Sequence, residues 1–196
     1  GRNRLGAEGA LRLSEGLAKS HLEVLDVAEN EIGNHGFAAI MKAAHGCRLS
    51  SLDIKQNGIT DRGLLAVKEL FALTALKAIN FRNNGITHYG AVVFQELPKT
   101  LELLNVRSNP IGNAGLVSIA AGLASSSMET LNLANNKIDH EGLKILMACT
   151  AISRLKTLNL SGNQLKAIDH PYLSLCRDSA MEDLDLSGSA FDENSI

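Results

Sequence analysis

Five stretches of the chain repeat one pattern of apolar and polar positions: LEVLDVAENEIGNHG from Leu22, LSSLDIKQNGITDRG from Leu49, LKAINFRNNGITHYG from Leu76, LELLNVRSNPIGNAG from Leu101 and METLNLANNKIDHEG from Met128. Within each, the fourth and sixth positions are apolar and the fifth is polar, the period-two signature of a strand with one buried face. Past the glycine that ends each stretch the spacing changes. Gly36 precedes Phe37 and Ile40, Gly63 precedes Leu64 and Val67, Gly115 precedes Leu116 and Ile119, and Gly142 precedes Leu143 and Leu146, which is helical spacing. One short strand and one helix per unit cannot each bury an apolar face alone, so the units must stack. The pattern predicts a curved α/β solenoid with parallel strands on the concave face and helices on the convex face.

A sixth copy, LKTLNLSGNQLKAID from Leu155, has Asp169 where the others have Gly. A reshaped turn or a shorter helix is expected there, and Pro171 just beyond it agrees. A seventh, MEDLDLSGSAF from Met181, puts Ser189 in place of the asparagine, while Asn3, Leu5 and Gly9 match the second half of a copy. The asparagine column reads Asn3, Asn30, Asn57, Asn84, Asn109, Asn136 and Asn163, a spacing of 27 residues with one interval of 25. The expected organisation is therefore a single array over residues 1–196. A partial repeat covers 1–21, repeats start near 22, 49, 76, 101, 128 and 155, and a degenerate C-terminal repeat covers 181–196. The half-repeat at the start predicts a fragment of a longer protein, monomeric except where exposed apolar ends associate.

The consensus L-x-x-L-x-L-x-x-N-x-I-x-x-x-G resembles the leucine-rich repeat, a horseshoe with strands on its concave face and helices on its convex face. Its length, and the Gly six residues after the Asn, are similar to the ribonuclease-inhibitor-like subclass. That subclass includes ribonuclease inhibitors, the sensor regions of intracellular immune receptors, Ran GTPase-activating proteins and tropomodulin-like actin regulators. The resemblance implies a binding scaffold without specifying the partner.

Shared columns are read first as scaffold. Each column Asn offers donors and an acceptor where a strand turns, and so can satisfy backbone groups of its own and the next repeat that would otherwise be buried unpaired. The glycine column implies either a positive φ or close packing of helix against turn. A third column, at the fifth position, is Asp26, Asp53, Asn80, Asn105, Asn132, Asn159 and Asp185; it marks the inner surface and fits a structural or solubility role as well as a binding strip.

With 45% hydrophobic residues the chain can bury a sizeable core, which the absence of Trp and 4% aromatics predict to be aliphatic. Nineteen basic against 21 acidic residues give a net charge of -2, which argues against nucleic acid and anionic membrane as partners. Cys47, Cys149 and Cys176 fit neither a disulfide framework nor a zinc site, so a reducing, cytoplasmic setting is expected. Cys149 reads as buried filler, and Cys176 is the one thiol to test for reactivity. His88 and His140 occupy equivalent places two repeats apart, roughly 10 Å at the usual strand spacing, too far for one zinc ion. No motif for nucleotide binding, nucleophilic hydrolysis or metal hydrolysis is present, and no metal or cofactor is expected. Asp139, His140 and Glu141 read as an exposed, lightly constrained loop.

Function should lie where the columns vary. The seventh position, on the inner face, reads Ala28, Lys55, Arg82, Arg107, Ala134, Ser161 and Ser187. Three consecutive cations form a ridge flanked by Gln56, Asn83 and Ser108, with acidic Glu23, Asp26 and Glu29 before it. Arginine forks on a rigid sheet suit carboxylates or phosphates. The expected site is Lys55, Arg82 and Arg107 with Asp53, Asn80, Asn105, Gln56 and Asn83. In the fifth repeat only Asn132, Ala134 and Asn135 are expected to face the partner. The expected function is a non-catalytic protein-interaction module for an acidic protein surface. A GTPase activator similar to the Ran regulator, or the ligand-sensing region of an immune-receptor-like protein, are the alternatives that the resemblance implies.

Overall fold

Seven strands of three residues form one parallel sheet in chain order: β1 Val24–Asp26, β2 Ser51–Asp53, β3 Ala78–Asn80, β4 Leu103–Asn105, β5 Thr130–Asn132, β6 Thr157–Asn159 and β7 Asp183–Asp185. This computed structural model describes residues 3–165 and 179–189, so Asp169, Pro171 and Cys176 lie outside the described residues. Equivalent positions pair without slippage: Leu25, Leu52, Ile79, Leu104, Leu131, Leu158 and Leu184 are successive partners. These central leucines and isoleucines turn toward the helices, and a continuous apolar cluster runs from Ala10 to Leu165.

The helices are α1 Gly6–Leu17, α2 Gly33–Ala44, α3 Asp61–Leu65, α4 Lys68–Phe71, α5 His88–Ala91, α6 Gly112–Leu123 and α7 His140–Ala148. The helical spacing after Gly63 is realised only in part. Val67 leaves the helical region (φ -118°, ψ 10°) and splits that unit into α3 and α4, while the third repeat has one turn, α5, followed by a 3-10 segment, Val92–Gln95. The third repeat is the one shortened to 25 residues, so it has less chain to spend on a helix. Phenylalanines occupy the space. Phe71 and Phe94 meet at 6.0 Å between centroids, and Phe81 meets Phe37 at 5.6 Å and Phe94 at 5.8 Å, all four fully buried. The core is thus aliphatic at its ends but aromatic in the middle, because broad rings replace helical turns that the short repeat lacks.

The asparagine column forms a ladder. Asn57 Nδ2 donates to the carbonyls of Val27 (2.9 Å) and Lys55 (3.1 Å), and its Oδ1 accepts from the N–H groups of Asn30 (3.0 Å) and Ile32 (3.3 Å). Asn84 and Asn163 bond in the same way to the repeats before them. One rung lacks its acceptor bonds altogether. Pro110 follows Asn109, and the Ile111 N–H turns back to the Asn109 carbonyl (2.9 Å) instead of reaching Asn136, whose buried Oδ1 has no partner. A three-residue turn of that kind suits the fixed φ of proline, whereas Glu31 and Lys137 at the equivalent place take positive φ.

The glycine column owes its composition to close packing. Gly36, Gly63, Gly90, Gly115 and Gly142 are buried with ordinary φ, and a Cβ on Gly36 would come within 2.8 Å of Ala10 Cβ. Asp139 is also more constrained than an exposed loop residue. It is the N-cap of α7, its Oδ1 accepting from Glu141 N–H (2.8 Å) and Gly142 N–H (3.3 Å), and it is tied to the preceding repeat by Asn113 Nδ2 (2.7 Å). The Asn113 bond, with the two backbone bonds, holds its carboxyl below the ordinary aspartate pKa. Local sequence favours this, since Asp followed by a helical run is an N-cap signal.

Two outcomes are expected. Replacing Asn84 or Asn163 by Ala should cost about 1–3 kcal/mol by orphaning backbone groups, and Asn136→Ala should cost less, since its acceptor already lacks a partner; urea melts of the three variants compare them directly. Asp139→Ala should cost about 1 kcal/mol near neutral pH through the lost cap. Because the folded-state pKa is depressed, this contribution is full above the ordinary aspartate value and disappears as pH falls through the lower folded value. Melts of wild type and Asp139→Ala should therefore converge in acid.

Candidate functional site: the concave face

Each repeat presents its third, fifth and seventh positions toward the inner face. The fifth is occupied first by structure. In all seven strands its Oδ1 accepts the backbone N–H two residues on, from Asp26 with Ala28 to Asp185 with Ser187, at 2.8 to 3.1 Å. These are Asx turns, which end each strand after three residues. Cross-links extend them, as Asn80 Nδ2 donates to Asp53 Oδ2 (3.1 Å) and Asn159 Nδ2 to Asp185 Oδ2 (2.8 Å). Asp53, Asn80 and Asn105 therefore build the turn below the ridge and only their remaining half-exposed surface meets solvent.

The eighth position has a similar constraint that the sequence reading passed over. Glu29, Gln56, Asn83, Ser108 and Asn135 all have φ between 53° and 59°, and Gly162 and Gly188 follow at 65°. A left-handed residue is needed to turn the chain out of the strand. The mix of Asn, Ser, Gln and Gly in this column was the available signal. Gln56 and Asn83 remain exposed beside the ridge, but their backbone conformation serves the turn.

At the seventh position the expectation divides. Lys55 and Arg107 are half-buried and Arg82 is exposed, so long side chains at this position reach the surface of the turn. Ala28 and Ala134 are 1% and 0% exposed. Ala134 does not face a partner: a methyl group at this depth is covered by its own turn, and only a longer side chain reaches the surface.

Charge is distributed unevenly. Just before the strands, Lys77 pairs with Glu102 (3.5 Å) and Lys156 with Glu129 (2.8 Å), the latter bond raising the Lys156 pKa. The ion pairs among the described residues include none of Lys55, Arg82 and Arg107. Arg107 Nε is buried with no hydrogen-bond partner. Lys55 and Arg82, with Glu29, Gln56 and Asn83, line a recess of about 120 Å³. A wider hollow of about 450 Å³ adjoins it, lined by Arg4, Glu29, Glu31 and Gln56. The smaller recess falls below the roughly 300–1,000 Å³ of a small-molecule site and has room for a single acidic side chain.

The family model described as Leucine Rich repeat matches residues 18–41, 47–68, 98–120 and 124–147, and a second, described as Leucine Rich Repeat, matches 154–176. Together they cover more than half of the chain, and the protein belongs to the leucine-rich-repeat family. The third repeat, with its one-turn helix, falls between the matched segments.

Among solved structures, an internalin from Listeria monocytogenes is similar at 25% identity and TM-score 0.54, over 78% of this chain and 37% of its own. This chain thus spans little more than a third of that protein. Leiomodin-1 actin-binding site 2 aligns at 16% identity and TM-score 0.56, over 74% of this chain and 86% of its own. A TLR13–ssRNA13 complex aligns at 20% identity and TM-score 0.55, over 100% of this chain and 30% of its own. No curated protein sequence matches. The neighbours with lower identity establish the fold alone, and the family is one of interaction modules.

Binding and scaffold roles separate experimentally. Asn80→Ala and Asn105→Ala should each lower stability by about 0.5–1.5 kcal/mol, whereas Lys55→Ala and Arg82→Ala should leave the thermal midpoint unchanged; differential scanning fluorimetry of the four variants checks this.

Proposed function

We propose that the protein is a non-catalytic interaction module of the ribonuclease-inhibitor-like type whose concave face takes an acidic protein surface. The observation that carries this reading is the ridge of Lys55, Arg82 and Arg107, three cations two residues past the ends of successive strands, with no ion pair among the described residues. Paired charges of the neighbouring row would cost a partner desolvation without return, while the ridge presents donors that a carboxylate satisfies. Glu29 also lines the recess, beside Lys55 and Arg82. Gln56 and Asn83 supply neutral hydrogen bonds beside it, and Asp53, Asn80 and Asn105 hold the turns on which the cations stand.

Few large apolar groups sit on this face, with Val24 at 63% exposure the main one. Affinity through it is therefore electrostatic and salt-sensitive. A protein partner fits better than nucleic acid, because Glu23, Asp26 and Glu29 border the ridge and the chain carries a net charge of -2. A cytoplasmic setting is supported by the free thiols Cys47 and Cys149. Among the described residues no helix is long and apolar enough to cross a membrane.

The triple reversal Lys55→Glu, Arg82→Glu, Arg107→Glu should abolish capture of ridge-dependent partners in a crosslinking pull-down and leave the fold intact by circular dichroism. In parallel, a poly-glutamate peptide and a single-stranded RNA of equal charge are titrated against wild type. Unchanged capture by the triple variant, or tighter binding of the RNA, would overturn the proposal.

A further inference from the structure

The convex face carries a column of its own. Two residues after each column glycine the chain reads Leu11, Ala38, Leu65, Val92 and Val117, and only the next repeat changes character, with Lys144. The residue immediately after the glycine points inward, as in Phe37 and Leu116, both fully buried, and the following one points out. Leu11, Leu65 and Val117 are 48%, 47% and 50% exposed. An outward helical position accepts a polar residue, as exposed Lys144 shows. Single exposed apolar residues are ordinary, but here five apolar residues align across successive repeats, three of them about half exposed and Ala38 and Val92 partly buried.

The stripe has a recess and a charged border. Between α1 and α2 a groove of about 580 Å³ opens where small side chains, Ala38, Ala39 and Ala43, leave room beside Leu11. His35 and Lys42 stand on the α2 side of that groove, one turn to either side of Ala38, and Glu15 on the α1 side. One residue before each column glycine lie Glu8, His35, Arg62, Tyr89, Ala114 and Glu141, all exposed. The outer carboxylates of this border are engaged, Glu8 by Arg12 (3.1 Å) and Glu141 by Lys144 (2.7 Å). Its middle offers donors: His35, Arg62 and Tyr89, the last 67% exposed with its ring tilted 37° against that of His88, 3.9 Å between centroids.

Packed helices lie about 8–10 Å apart, close to the roughly 10.5 Å that seven residues span along a helix. A helix laid across the repeats can therefore place every seventh residue on the next member of the stripe. We infer that the segment Leu11–Ala38–Leu65 of the convex face docks an amphipathic partner helix with apolar residues at heptad spacing and carboxylates along its border. A large side chain enters the Ala38 groove, its neighbours one heptad away cover Leu11 and Leu65, and acids meet Arg62, His35 and Lys42. This is a helix-in-groove mode, on the face opposite the cationic ridge and independent of it.

The probe is a stapled helical peptide with leucine at every seventh residue and glutamate placed to face His35, Lys42 and Arg62, and a control with lysine for glutamate. Titrations are followed by fluorescence anisotropy and by amide chemical shifts of the labelled protein. The glutamate peptide should bind at least tenfold more tightly than the lysine control and shift amides of α1, α2 and α3. Leu65→Ser and Arg62→Glu, both at exposed positions, should each weaken it at least tenfold, with unchanged melting curves; the triple ridge reversal should not affect it. Absence of binding, equal binding of both peptides, shifts confined to the concave strands, or a dimer in sedimentation that Leu65→Ser returns to monomer would each overturn the inference.

Discussion

A buried carboxamide that closes backbone hydrogen bonds in two repeats at once is the constraint on which the solenoid depends. Each turn out of a strand leaves carbonyls and N–H groups inside the protein, where an unpaired one costs more than the net value of a bond. The Asn side chain answers both sides: Nδ2 toward the carbonyls of its own turn and the repeat before, Oδ1 toward the N–H groups of that earlier repeat. Because the reach of one side chain is fixed, every joined pair of repeats is held at the same offset. The in-register strand pairing follows from this, as do the recurring Asx turn at the fifth position and the left-handed residue at the eighth.

Departures from the ladder collect in the middle of the array. The third repeat is two residues short, its helix is a single turn, and Phe71, Phe81 and Phe94 fill the resulting space. Pro110, in the next repeat, removes the rung to Asn136. That repeat also carries Arg107, whose buried Nε has no partner. The cationic ridge therefore ends at a joint where, among the described residues, both Arg107 Nε and Asn136 Oδ1 are buried without a partner. A partner carboxylate at Arg107 would supply an acceptor where the scaffold itself has left a donor unanswered.

The two faces divide the labour of recognition differently. Inside, short strands and Asx turns leave only the long seventh-position side chains to reach out, so the concave surface is polar and electrostatic. Outside, helices present broad side-chain surfaces, and the repeat period itself lays apolar residues in line from Leu11 to Val117. Stacking identical units brings equivalent positions together on both faces, which is why a column of residues is the natural unit of a binding surface in this fold.

Strand positions, the parallel order, the buried leucines and the asparagine ladder were legible in the chain, because each depends on contacts that recur at one period and so write themselves into the sequence repeatedly. Three features depend on how deep a position lies and on what its neighbours do, and these were decided by the tertiary structure. Ala134 sits at the same column place as Arg82 yet is covered, since depth rather than register determines whether a side chain emerges. Asp139 looks like a loop acid but caps a helix and takes a bond from Asn113, a contact 26 residues away that no local pattern announces. The aromatic middle of the core arises where one repeat is short, and only the packing of its neighbours shows what fills the gap. Periodic local chemistry is thus contained in the sequence, while accessibility and compensation between unlike repeats exist only once the units are stacked.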